Sequence, residues 1–274
     1  MKASRVHAVI AAGLDNPQLL AHWRQEPDLL RGCGVEPAAV DLDALWKFAG
    51  LAVKVRHNGL RAHLPLTFRL LNVAGLEIEV FASYASFRAA EGGRYADTSE
   101  ARAQDLLTFL AGWLDSDRRE HALLWDVIRY ELALAQLAGP VASDAHVDES
   151  SVTHTPRAKS VPRVCGRVVL HEMRCDPRVV GAVLYEKSPR LDEVQLGTCH
   201  FCYWRRGAAA EVNILQLDEL GFYLLTLADG RRTAAELSRL TGGGSRPAKG
   251  FLQALGELAA LGILTFDTTA GQAL

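Results

Sequence analysis

A chain of 274 residues, 49% of them hydrophobic, has room for one large or two ordinary domains and is too apolar to be disordered throughout. Its 30 basic and 32 acidic residues give a formal charge of −2, so no global electrostatic pull toward nucleic acid or an anionic membrane is expected. No stretch approaches the roughly 18 uncharged apolar residues of a membrane span.

The amino terminus, MKASRVHAVIAAGLDNPQ, has a basic start, but His7 and Asp15 interrupt its apolar run and no secretory signal core follows. Five cysteines, at 33, 165, 175, 199 and 202, suit reduced thiols better than a disulfide framework. A cytoplasmic protein is expected.

The first half reads as helical. DLDALWKFAGLAV and LPLTFRLLNVAGLEIEVFASYASFRAA carry helical spacing, with Pro65 opening the second. Between them, RHNGL holds Asn58-Gly59, a turn signal. In DTSEARAQDLLTFLAGWLD, Asp97 and Glu100 resemble a capping box, and Leu106, Leu110, Trp113 and Leu114 follow the helical period. Asp117 and Glu120 repeat the cap signal before HALLWDVIRYELALAQL, which Gly139 and Pro140 end. The next stretch, GPVASDAHVDESSVTHTPRAKSVP, lacks aromatic residues and is rich in Ser, Asp, Thr and Pro, the composition of a linker.

Beyond it the period changes. RVVLHEM reads as a strand and DPRVVGAVLYEK as a short helix capped by Asp176. HFCYWRR and AAEVNILQL read as strands joined through Gly207. DELGFYLLTLADG, TAAELSRLTGG and PAKGFLQALGELAALG follow as helices that end at Gly230, Gly242 and Gly262, and ILTF is a candidate last strand. The expected fold class is α+β. A helical amino-terminal domain (1–139), a linker (140–163) and a winged-helix-like domain of a β-hairpin and three helices (164–274) make up the chain.

The chemical motifs are few. Cys199 and Cys202 form a Cys-x-x-Cys around His200, but residues three apart in a strand point to opposite faces, and no second pair completes a zinc site. A redox pair would sit where a strand enters a helix, whereas aromatic strand residues follow here. The run Gly242-Gly243-Gly244 lacks the Lys-Ser/Thr of a phosphate-binding loop, and there is no nucleophile elbow. His57 and His63 flank the RHNGL turn, as capping or functional residues in about equal measure. Glu131 borders an apolar helical stripe, where a solvated edge position outweighs burial against an arginine. A DNA-binding winged helix is the alternative of a different class. The last helix, however, offers base edges only Lys249 and Gln253, and residues 212–264 have five acids against five bases. A stand-alone thiol enzyme using Cys199 and Cys202 is the third reading.

Two resemblances sharpen this. VNILQLDELGFYLLTLADGRRTAAELSRLTG followed by FLQALGELAALGIL resembles the PqqD-type precursor-peptide recognition element. RHNGLRAHLPLTFRLL, GLEIEVFASYASFRAA and LLWDVIRYELALAQL resemble the partner subunits of multinuclear non-haem iron oxidative enzymes, known from methanobactin and 3-thiaglutamate biosynthesis. The length and the fused recognition element look closer to the 3-thiaglutamate type.

The resemblance implies a non-catalytic subunit without its own cofactor, paired with a TIM-barrel enzyme that holds the iron and oxidises a cysteine of a ribosomally made peptide. It implies peptide pairing at Glu211, Val212, Asn213, Ile214 and Leu215, with a groove wall of Phe251, Leu255 and Leu258. It also implies a partner interface around His57, Asn58, Leu60, Pro65 and Glu131. Neither nucleic acid nor membrane is an expected partner.

Overall fold

Helical periodicity governs the chain as far as Ala138. The computed structural model describes residues 3–92, 95–139, 155–207, 210–242 and 247–267. Among these, nine α-helices precede the first strand: α1 (Ala3–Asp15), α2 (Pro17–Gln25), α3 (Leu29–Gly32), α4 (Leu42–Arg56), α5 (Asn58–His63), α6 (Pro65–Val73), α7 (Glu77–Ala90), α8 (Ser99–Trp113) and α9 (Arg119–Ala138). Then come β1 (Val161–Val164), β2 (Arg167–Met173), α10 (Pro177–Leu184), β3 (Cys199–Arg205), β4 (Asn213–Leu217), α11 (Glu219–Leu227), α12 (Ala234–Leu240), α13 (Lys249–Ala260) and β5 (Leu264–Asp267). The fold is mixed α+β with small antiparallel sheets.

The chain forms two compact units. The first comprises Met1–Glu131 with Pro177–Val194, and the second Leu132–Asp176 with Gln195–Leu274. In the first unit, Val9, Leu20, Trp23, Leu30 and Leu45 of the first four helices build one buried cluster with Val35 of the loop after α3. The Asn16 side chain caps α2 by accepting from the backbone N–H groups of Gln18 and Leu19, and Pro17 follows at the first helical position. A second buried set comes from α6 to α9, among them Phe68, Phe81, Tyr84, Leu106, Phe109, Leu124 and Ile128.

Turns and caps here fall one or two residues from the positions that the local signals mark. RHNGL is not a turn between helices at Asn58-Gly59: the chain turns at His57, and Asn58 and Gly59 open α5. Pro65 does start α6, and α6 and α7 are separated at Gly75, whose φ of +70° favours glycine. The cap of α8 is Thr98, not Asp97; its hydroxyl accepts from the Ala101 N–H. Nor does Asp117 cap α9 through its side chain among the described residues. Its own N–H donates to the Asp115 carboxylate, and α9 begins at Arg119.

In the second unit, β2, β3 and β4 form a three-stranded antiparallel sheet in that order, so β4 is an edge strand. Cys202 lies opposite Leu170 and Leu215, and Trp204 opposite Val168 and Asn213. That face joins Leu224, Leu225, Leu237, Phe251, Leu255 and Leu258 in one core. Asp218 caps α11 through the Gly221 N–H, and Thr233 with Glu236 forms a reciprocal capping box on α12. Residues 140–154 of the expected linker lie outside the described residues. Its remainder is not a simple linker: Val161–Val164 is β1, which pairs with β5.

Gly166 joins β1 to β2 with φ +70°, and a Cβ placed there would lie 2.5 Å from the Arg205 carbonyl oxygen. Gly166→Ala is therefore expected to lower unfolding free energy in urea by about 2–4 kcal/mol. Gly112→Ala in α8, where a Cβ meets nothing within 4 Å, should instead stabilise by up to about 1 kcal/mol.

Candidate functional site

The polar interior of the helical unit is built on α9. Pro65 starts α6, and the first N–H groups of any helix lack intrahelical acceptors. Glu131 fills that role: its carboxylate accepts from Leu66 N–H and Thr67 N–H, both at 2.8 Å, and from Thr67 Oγ1 at 2.7 Å. Burial pushes the Glu131 carboxyl above the usual range, while these hydrogen bonds and the neighbouring His63 pull the other way. Nearby, Arg61 pairs with the buried Glu77 and lies 4.7 Å over the Phe68 ring.

His57 belongs to the same interior. Its ring stacks on Phe81 at 4.2 Å, with Tyr95 edge-on at 5.8 Å. Burial first, then the charges of Arg56 and Arg102, lower its pKa to about 4, so it is neutral at pH 7. Tyr84 packs beside it with a buried hydroxyl that has no hydrogen-bond partner among the described residues, and burial raises that phenol to about 12.

Burial divides the residues of the interface expectation. His57, Leu60 and Glu131 are 4%, 1% and 7% exposed and cannot meet a partner as they stand; only Asn58 and Pro65 reach the surface. Glu131 is not a solvated edge residue, and its partners among the described residues are Leu66 and Thr67 rather than an arginine. The sequence reading did not find Thr67, Phe81 or Tyr84. Thr67 alone carried a signal, as a hydroxyl in the first turn of a helix opened by proline.

The expected peptide site is divided. Asn213, Ile214 and Leu215 do lie in edge strand β4, with Asn213 exposed and the other two half-buried. Glu211 and Val212 precede the strand, and the Glu211 carbonyl accepts from the Asn213 side-chain amide. Phe251, Leu255 and Leu258 are core residues rather than a groove wall, at 7%, 0% and 5% exposure. Spacing i, i+4, i+7 marks one helical face without saying what covers it. Another side of α13 lines an open groove of about 550 Å³ with Leu252, Gly256 and Ala259, and Pro156 lies against Gly256.

The Cys-x-x-Cys is separated by the strand's alternation. Cys199 pairs across with Met173 and Cys202 with Leu170, on opposite faces. Cys202 is fully buried, which pushes its thiol up to about 12, far from a reactive thiolate.

The chain matches no protein-family model and no curated protein.

Two measurements probe this interior. Glu131→Ala leaves three donors at the start of α6 without their acceptor and should cost about 3 kcal/mol in chemical unfolding. His57 binds a proton in the unfolded chain below about 6.5 but in the folded chain only near 4. Its share of stability, about 3 kcal/mol, is therefore lost as pH falls from 6.5 to 4. Glu131 has the opposite slope, losing stability as pH rises from 4.5 through its raised folded value. In His57→Phe, the acid-side loss of melting temperature should be clearly shallower than in the parent.

Proposed function

We propose that this chain is a non-catalytic partner and peptide-recognition subunit of an iron-dependent oxidative enzyme. The barrel-type partner holds the iron and modifies a cysteine of a ribosomally made precursor peptide, in the manner of 3-thiaglutamate rather than methanobactin biosynthesis. The helical unit serves the iron subunit, and the second unit holds the leader part of the peptide.

The observation that carries this reading is the position of β4. A five-residue strand at a sheet edge presents alternate N–H and C=O groups that an added strand can pair with. The β3–β4 hairpin followed by α11, α12 and α13 runs in the order of a winged-helix-like recognition element, which supports the same assignment. The peptide's backbone pairs with Asn213–Leu217, and its side chains meet Ile214 and Gln216 on one face and Leu215 on the other. Phe251, Leu255 and Leu258 act from beneath, by fixing the helical layer that supports the strand.

The gene is expected to lie beside genes for a barrel-type iron enzyme and a short cysteine-containing precursor. The purified chain should hold no stoichiometric iron and show no activity, and turnover should require all three components. Peptide binding is then read by fluorescence polarisation with that precursor. Successive strand N–H groups alternate in direction, so of Ile214→Pro and Leu215→Pro one removes an outward donor and the other a β3–β4 ladder bond. The variant that keeps its melting temperature should bind the precursor at least about tenfold more weakly. Unchanged affinity in that variant would remove β4 from the site.

A further inference from the structure

The outer face of α4 is apolar where a surface helix is ordinarily polar. Phe48, Leu51 and Val55, at i, i+3 and i+7, are 56%, 56% and 70% exposed and share one side of the helix. Leu51 also lines a groove of about 380 Å³ beside α6 and α7, with Trp46, Gly50, Leu71 and Ile78. Gly50 makes that groove: a Cβ there would come within 3.3 Å of the Ile78 side chain. Such a volume takes one or two side chains of leucine or phenylalanine size.

Glu77, which also lines the groove, is buried and paired with Arg61, which leaves the charges of α4 to set the sign at its rim. After Asp43, which is paired with Arg24, α4 contains no acid, while Lys47 sits in the groove lining and Arg56 is exposed at the end of the stripe. A second copy docking antiparallel about Leu51 would bring Lys47 near Arg56 of the other copy and Arg56 near its Lys47, and like charges facing each other are unfavourable. A bilayer surface is flat on this scale and would leave the concavity unfilled. The complementary surface is a protein helix that inserts an apolar side chain between carboxylates.

We infer that the α4 stripe and the α4–α6–α7 groove are the docking surface for an acid-flanked apolar helix of the partner subunit. This deepens the function proposed above and rests on it for the partner's identity. Leu51 is the central anchor, inserted beside the partner's knob, and Lys47 meets a carboxylate at the rim. The expected interface thus moves from the interior residues His57, Leu60 and Glu131 to the exposed face of the helix before them.

The test is titration calorimetry of the full chain with the barrel iron subunit, comparing the parent with Leu51→Asp and Lys47→Glu. Both positions are exposed, so both variants should fold, with melting temperatures near the parent's. Leu51→Asp should weaken binding by at least about thirtyfold. Lys47→Glu should weaken binding about three- to tenfold at low salt and reduce the salt dependence of the affinity. Parent binding with both variants equally tight overturns the docking surface and leaves the proposed function standing. Absence of parent binding overturns both. Concentration-dependent dimerisation, or flotation with phosphatidylserine vesicles, abolished by Leu51→Asp would assign the face to a second copy or a membrane and overturn the inference.

Discussion

Glu131 reaches from α9 to the first backbone N–H groups of α6, and the aromatic interior of the helical unit is arranged around the α6 position that this fixes. A carboxylate inside a protein is costly unless its charge is met by hydrogen bonds. Here two backbone donors, the Thr67 hydroxyl and the positive end of the α6 dipole meet it. With α6 fixed, Phe68 stacks against Phe81 at 5.2 Å, and Phe81 carries the His57 ring. The next turn of α6 and the start of α7 form one wall of the groove beside Leu51. A buried polar bond and one wall of that groove therefore share one helix, α6.

The carboxy-terminal end of α9 is held by opposite chemistry. Its last carbonyls have no intrahelical donors. Arg205 of β3 donates to the carbonyls of Leu137 and Ala138 at 2.8 and 3.0 Å, and Arg167 of β2 donates to that of Gln136. Cations at a helix carboxy terminus also complement its dipole. These contacts, all within the second unit, tie β2 and β3 to the last turn of α9, and β4 is the strand at the sheet edge opposite β2. The peptide-binding proposal depends on that edge.

Much of the fold was legible because it rests on local periodicity. The β2 boundaries, the β3–β4 hairpin, the three closing helices and Pro65 as a helix start follow from alternation, glycine stops and cap residues. The cap at Thr98 was missed by one residue because Asp97 and Thr98 are both good caps, and only the backbone decides between them. The site was less legible. Glu131 and Leu66 are 65 positions apart, so no local pattern announces that one caps the other's helix. Phe251, Leu255 and Leu258 have the spacing of a buried face and of a groove wall alike, and packing alone assigns them to the core. Phe48, Leu51 and Val55 have the spacing of one helical face, but a sequence does not tell which apolar positions stay uncovered.

The two units divide the work under this account: one surface recruits a partner, one strand edge recruits a peptide, and oxidation occurs on the partner's iron. Hydrogen–deuterium exchange on the full chain, with and without the neighbouring cysteine-containing precursor peptide, tests the central claim most directly. The account predicts slowed exchange of the outward-facing amides within Asn213–Leu217, while the Leu255 and Leu258 amides in α13 keep their rates. Bound peptide with unchanged β4 exchange and new protection elsewhere would contradict it.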